Sequence, residues 1–200
     1  MSRHPSHPIH PQFVDRWSPR AYTGEALPEA QLLTMLEAAR WSPSASNTQP
    51  WRFVYALSGQ AGFDTLLRSL VPFNQDWAHR ASALVVVVSA TTSVAPGSTE
   101  AKPSPMHAFD TGAAWMALAL QAQHLGWSAH AMGGFNREAV QSALACPASM
   151  AVQCVVAVGR PGAVDALPEA LREREHPNQR RPLAELATAW SAEGMPAWCG

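Results

Sequence analysis

Charge is scarce in this chain: Asp, Glu, Lys and Arg make up 14% of its 200 residues, against about 25% in an ordinary globular protein. The formal net charge is −1, and no basic face emerges, which argues against a nucleic-acid partner. Cysteine is sparse too. Cys146, Cys154 and Cys199 are odd in number and widely spaced, a pattern of reduced thiols rather than of a disulfide frame or a zinc site. Cys154 lies in an apolar run and reads as core packing. The longest apolar stretch, roughly Ala113 to Leu120, is too short for a membrane-spanning helix, which needs about 20 residues. Residues 1–12 lack the apolar run of a signal peptide, so the expectation is a cytoplasmic protein with no membrane partner. Also missing are the glycine fingerprint that cradles a dinucleotide pyrophosphate, the phosphate-loop lysine motif and a His-Glu-x-x-His helix.

What is present is apolar. Hydrophobic residues reach 47% and there are eight tryptophans. Low charge with abundant aromatics is the composition of a large subunit interface, so a homodimer is expected. The length fits one domain, assigned to 13–200 with an extended C-terminal arm. Residues 1–12, where Pro5, Pro8 and Pro11 alternate with His4, His7 and His10, read as a disordered tail. The three histidines share one side of a polyproline turn and offer at most weak metal chelation.

Pro28 opens a helix that runs to about Trp41, with Leu32, Leu33 and Leu36 on one face. Strand Arg52–Leu57, a helix over 59–70 and a short helix from Asn74 to Arg80 follow. Ala83–Ala90 holds four successive valines, the mark of a strand buried on both faces. Residues 91–105 read as a loop. Residues 108–125 form a helix apolar nearly all round, which belongs in a core or an interface, with Asp110 as its cap. Gly126 stops it. Strand 127–132, a helix capped by Asn136, the buried strand 150–158 and a last helix from Pro182 to about Trp190 complete the pattern. Strands and helices interleave, which gives an α+β fold.

Three clusters carry candidate chemistry. In Arg16-Trp17-Ser18-Pro19-Arg20 the alternating residues share a face if the segment is extended. Two guanidinium groups and a hydroxyl there suit a phosphate ester or an anionic ring. The loop Pro43-Ser44-Ala45-Ser46-Asn47-Thr48-Gln49-Pro50-Trp51 is polar and stiffened by two prolines, which end the helix before it and extend Gln49. Arg180-Arg181-Pro182 is a third basic site near the far end. Each alone reads equally well as surface charge or as a connector.

The ordered set resembles the nitroreductase family of FMN-dependent oxidoreductases. The resemblance rests on Arg-x-Ser-x-Arg, then Glu-Ala-Ala-Arg-Trp-Ser-Pro-Ser, then Asn-x-Gln-Pro-Trp running into a strand. It continues through Asn74, through Asp110-Thr111-Gly112 opening the apolar helix, and through Gly133-Gly134-Phe135 to Arg180. It implies a central mixed sheet packed with helices, a long buried central helix and an intertwined homodimer with the flavin at the subunit interface.

The resemblance also implies roles. Arg16, Ser18 and Arg180 (or Arg181) hold the FMN phosphate, and Trp17 lies with them. Arg20 faces the ring edge near N1 and O2. Asn74 meets the pyrimidine N3, unless it merely caps its helix. Met132, Gly133 and Gly134 bring backbone to N5, unless the glycines only make a tight turn. Pro43, Ser44, Ala45 and Asn47 come from the other subunit. No side-chain acid or base is required for the hydride step. The implied activity is ping-pong transfer of two electrons from NADH or NADPH to a nitroaromatic, a quinone or a similar planar acceptor. Alternatives are another flavin reaction on the same fold, such as metabolite oxidation or dehalogenation, and a flavin-binding protein without turnover. Two departures stand out. Trp77 occupies a position where many members carry lysine, and Gly133 stands where the family often has Glu.

Overall fold

The structure, a computed structural model, describes residues 3–94 and 97–189. In chain order the elements are α1 (Pro11–Asp15), α2 (Glu29–Arg40), β1 (Trp51–Leu57), α3 (Ala61–Ser69), α4 (Pro72–Ala78), β2 (Ala83–Ala90), β3 (Thr92–Val94) and β4 (Ala101–Pro103). Then come α5 (His107–His124), β5 (Ser128–Met132), α6 (Arg137–Ala143), β6 (Met150–Gly159) and α7 (Glu169–Arg172).

Four strands form the central sheet in the order β1-β2-β6-β5. All three pairings are antiparallel among the described residues, where the resemblance implied a mixed sheet. Strand β2 fits this sheet. A valine run marks burial on both faces, and that is common in parallel sheets, but a central antiparallel strand sandwiched by helices meets the same requirement. Leu84, Val86 and Val88 face one apolar layer with Phe63, Leu66 and Trp77. Ala83, Val85 and Val87 face the other, with Leu32 and Met35 of α2 and Leu118 and Ala122 of α5. The period-two alternation of a strand therefore splits the core into two layers.

Helix α5 is buried on one side only. Asp110, Thr111, Ala114, Leu118, Ala119 and Ala122 face the core, while Phe109 stays 73% exposed. Gly126, at φ +77°, ends this helix as a left-handed stop. Asn136 caps α6 by accepting from the Ala139 N–H at 3.0 Å.

Three local expectations change. Residues 91–105, read as a loop, contain the β3–β4 ladder, Thr92 opposite Pro103. Its strands are three residues each, β3 half-buried at Thr92 and Ser93 and β4 exposed, so no hydrophobic alternation announced them. The helix expected from Pro182 is a 3-10 turn, Leu183–Glu185. Leu183 and Leu186 beside it are exposed and give a longer helix nothing to pack on; Trp190, its expected end, lies outside the described residues. The segment read as a tail leads into α1, where the His10 ring accepts from the Gln12 N–H at 3.3 Å, and Arg3 bonds the carbonyls of Val14, Arg16 and Asn178.

Among the described residues no helix is long and apolar enough to cross a membrane, and no cluster of His, Cys, Asp and Glu is arranged to hold a metal ion. Cys146 and Cys154 are free thiols, and burial pushes the Cys154 thiol up to about 11. Cys199 lies outside the described residues.

Candidate functional site

Helix α1 ends at Arg16, whose backbone is extended (φ −65°, ψ 126°). Arg16, Ser18 and Arg20 line one cavity of about 210 Å³, as their alternation suggested, and Trp17 between them lines it too. Arg180 lines the same cavity, although 164 residues separate it from Arg16. Arg181 lines a different, mostly apolar groove beside Phe13 and Leu183. Of the two adjacent arginines, Arg180 is thus the one that joins Arg16.

Sequence reasoning missed several members of this cavity. Arg3, Arg174, His176, Asn178 and His130 also line it, which brings the arginines to five. The charged run over 172–181 was a signal for Arg174 and His176. Nothing local marked Arg3 or His130.

The cavity is electrostatically primed. Burial lowers the Arg16 pKa from its ordinary value, and the nearby guanidinium groups of Arg180 and Arg3 lower it further. Burial likewise lowers Arg3, again with Arg180 contributing. Like charges gathered this way destabilise one another and favour an anion between them. Two donors already wait, since Arg16 Nε and Arg20 Nε are buried without a hydrogen-bond partner. Buried donors left unpaired are costly. A phosphate dianion with the polar edge of a flavin answers both features, so the residues present fit FMN.

His130 sits on β5 at the cavity wall. Its Nδ1 lies 3.0 Å from the Pro19 carbonyl, so Nδ1–H donates there. Burial pushes its pKa down to about 4, with Arg20 and Arg16 adding to the effect, so the ring is neutral near pH 7.

Asn74 and the glycine pair meet two residues beyond the end of β5. Asn74 Nδ2 donates to the Gly134 carbonyl at 3.0 Å, and the Val71 N–H donates to the same oxygen at 3.1 Å. Helix α4 has no side-chain cap, so Asn74 braces the glycine turn instead of capping. A Cβ on Gly134 would lie 2.8 Å from Asn74 Nδ2, whereas Gly133 has open space. The Met132 side chain is buried in the core, which leaves only its backbone for any contact with a cofactor. Trp77 is 1% exposed. Its indole packs against Tyr22 and His130, so this position sends no cation toward the cavity.

The loop over 43–49 does not line the arginine cavity within one chain. It is exposed at Pro43, Ala45, Ser46 and Asn47 and it is strained: Ser46, Asn47 and Gln49 have φ of 51°, 54° and 47°, a region that costs non-glycine residues energy. Gln49 was expected to be extended ahead of Pro50. The strain is held from inside, where the Gln49 N–H donates to Ser44 Oγ at 3.0 Å. Asp110, expected to cap α5, instead accepts from the Ala45 N–H at 3.1 Å and pins the loop to the helix.

Known proteins share this fold. The profile of the Nitroreductase family matches residues 14–160. A crystallised oxidoreductase containing FMN is 44% identical with a TM-score of 0.91, over 96% of this chain and 97% of its own. A protein from Desulfovibrio desulfuricans, assigned as a nitroreductase and crystallised with FMN, is 26% identical with a TM-score of 0.72, over 96% of this chain and 100% of its own. A protein of Bacillus subtilis assigned as an NAD(P)H nitroreductase is 37% identical over 60 residues, only 30% of either chain. Family profile, fold and arginine cavity coincide, and the chain belongs to the nitroreductase family.

Proposed function

We propose that this protein is an FMN-dependent oxidoreductase that passes two electrons from NADH or NADPH to a nitroaromatic, a quinone or a similar planar acceptor. The observation that carries the reading is the convergence of Arg16, Ser18, Arg20 and Arg180 on one cavity; the Nε–H groups of Arg16 and Arg20 are also buried without a partner. Bound FMN supplies the hydride-accepting N5; the protein supplies binding, orientation and electrostatics.

Arg16, Ser18 and Arg180 hold the phosphate, with Trp17 flanking them. Arg20 places its charge at the N1 and O2 edge, where a cation favours the reduced form. Asn74, whose Oδ1 accepts no hydrogen bond among the described residues, offers that oxygen to the pyrimidine N3–H. Gly133 and Gly134, with the Met132 backbone before them, let the chain approach N5. Pro43, Ser44, Ala45 and Asn47 reach the flavin of a second subunit, which gives their strained, exposed loop a purpose. A homodimer also covers Phe109 and the open face of α5. One open flavin face serves donor and acceptor in turn, which makes the order ping-pong. The free thiols Cys146 and Cys154 fit a cytoplasmic protein.

The test is a visible spectrum of the purified protein followed by anaerobic mixing with NADH and with NADPH. The expected result is a yellow protein bleached by at least one nucleotide. A protein that stays colourless after reconstitution with FMN overturns the reading. A second reading, a flavin-binding protein without turnover, is favoured by Trp77 at a position where many members place lysine; its mark is a flavin spectrum that neither nucleotide changes.

A further inference from the structure

Glu175 is a buried carboxylate in the C-terminal arm, with a side chain only 2% exposed. Its Oε1 accepts two backbone hydrogen bonds, from Arg20 N–H at 2.7 Å and from Ala21 N–H at 2.8 Å. Its Oε2 lies 3.8 Å from Arg20 Nη1 and has no hydrogen-bond partner. Burying a carboxylate is costly unless the site compensates it. Here the compensation is all at one place, since both N–H donors and the nearest cation belong to the Arg20–Ala21 step.

The geometry is uneven. The backbone bonds are short and charge-assisted. The ion pair is longer than any hydrogen bond. Glu175 therefore fixes the main chain that carries Arg20 without drawing in its guanidinium, and Arg20 Nε remains unspent. A negative charge so close nonetheless offsets part of the Arg20 field.

We infer that Glu175 is a positioning residue with an electrostatic duty: it anchors the Arg20 backbone and, through its charge, lowers the reduction potential of the flavin that Arg20 faces. This rests on the FMN reading above. Arg20 alone favours the electron-rich reduced ring; Glu175 moderates that preference and keeps the reduced ring a stronger donor to the acceptor.

Glu175→Gln and Glu175→Ala separate the two duties. Glutamine keeps an oxygen for the two N–H donors and removes the charge; alanine removes both. Glu175→Gln is expected to keep FMN and to raise the midpoint potential. Glu175→Ala is expected to weaken FMN binding by about tenfold. Amide exchange at Arg20 and Ala21 reads the anchor with or without flavin: slow in wild type and in Glu175→Gln, fast in Glu175→Ala. If Glu175→Gln is unstable, the midpoint potential of flavin-loaded Glu175→Ala against wild type reads the same charge, and the variant is expected to have the higher potential. An unmoved potential in flavin-loaded E175Q overturns the electrostatic duty. Unchanged exchange in E175A overturns the anchor. Wild-type protein that binds no FMN but shows the exchange pattern removes the cofactor reading and leaves the anchor standing.

Discussion

Trp77 and His130 stack, their ring centroids 4.7 Å apart and their planes 38° from parallel. The contact joins α4 to β5 and backs His130, which lines the arginine cavity, with aromatic surface. A neutral indole at position 77 suits this place better than a lysine would, because five arginines already crowd the neighbouring cavity and another cation nearby would add to the repulsion.

Burial of His130 makes stability pH-dependent. The folded His130 pKa is lowered from 6.5 to about 4, so between those values the unfolded chain binds the extra proton. Stability therefore rises with pH across that window and is flat above it for this group, a change of up to about 3 kcal/mol. Urea unfolding at pH 4.5 and pH 7 of wild type and His130→Gln measures it. The variant is expected to lose this slope; equal slopes would refute the assignment.

Neighbouring glycines should respond differently to alanine. At Gly134 a Cβ meets Asn74 Nδ2 at 2.8 Å and Val71 Cγ2 at 2.9 Å, and such overpacking costs about 1–3 kcal/mol. At Gly133 nothing lies within 4 Å, so Gly133→Ala should change stability by no more than about 0.5 kcal/mol. Yet the same methyl would hold a flavin away from the backbone. Thermal melts paired with FMN titrations distinguish the cases: Gly134→Ala loses stability, and Gly133→Ala loses FMN affinity alone.

The phosphate assignment separates the two adjacent arginines. Arg16→Ala and Arg180→Ala should each weaken FMN by about tenfold to a hundredfold, the worth of a charge-assisted hydrogen bond. Arg181→Ala should leave affinity near wild type, because its side chain lines the neighbouring groove. Riboflavin, which lacks the phosphate, is the control. Losses equal for FMN and riboflavin would mean that the cavity does not hold the phosphate.

Phe109 tests the interface. It is 73% exposed on α5, one residue from the Asp110 that pins the loop carrying Ala45. Phe109→Glu should shift the protein from dimer to monomer in sedimentation and release its flavin, without lowering the monomer's own stability by more than about 0.5 kcal/mol. A monomeric wild type at micromolar concentration would contradict the dimer outright.

Local features were legible in the sequence. The valine run gave β2 its bounds of Ala83–Ala90, Gly126 marked the end of α5, and Asn136 marked the start of α6, because each acts through its own or adjacent residues. The alternation of Arg16, Ser18 and Arg20 was legible for the same reason. Arg180 came from the family pattern. What stayed hidden joins distant parts of the chain. Glu175 reaches the backbone of Arg20 across 155 residues, and Asp110 reaches Ala45 across 65. In Asp110 the local preference for helix capping lost to a tertiary hydrogen bond, and in Gln49 the pre-proline preference lost to a loop built around Ser44.

The cavity takes its walls from segments far apart in sequence, Arg3 and Arg16 in one and Arg174 and Arg180 in the other. A nascent polypeptide emerges amino end first, so the ribosome must deliver Arg180 before the pocket closes. A ligand that needs all four arginines would therefore bind late, after the strands of the sheet have emerged. A product stopped short of Arg174 would hold every strand of the central sheet, whose last strand ends at Gly159, yet lack part of the cavity wall.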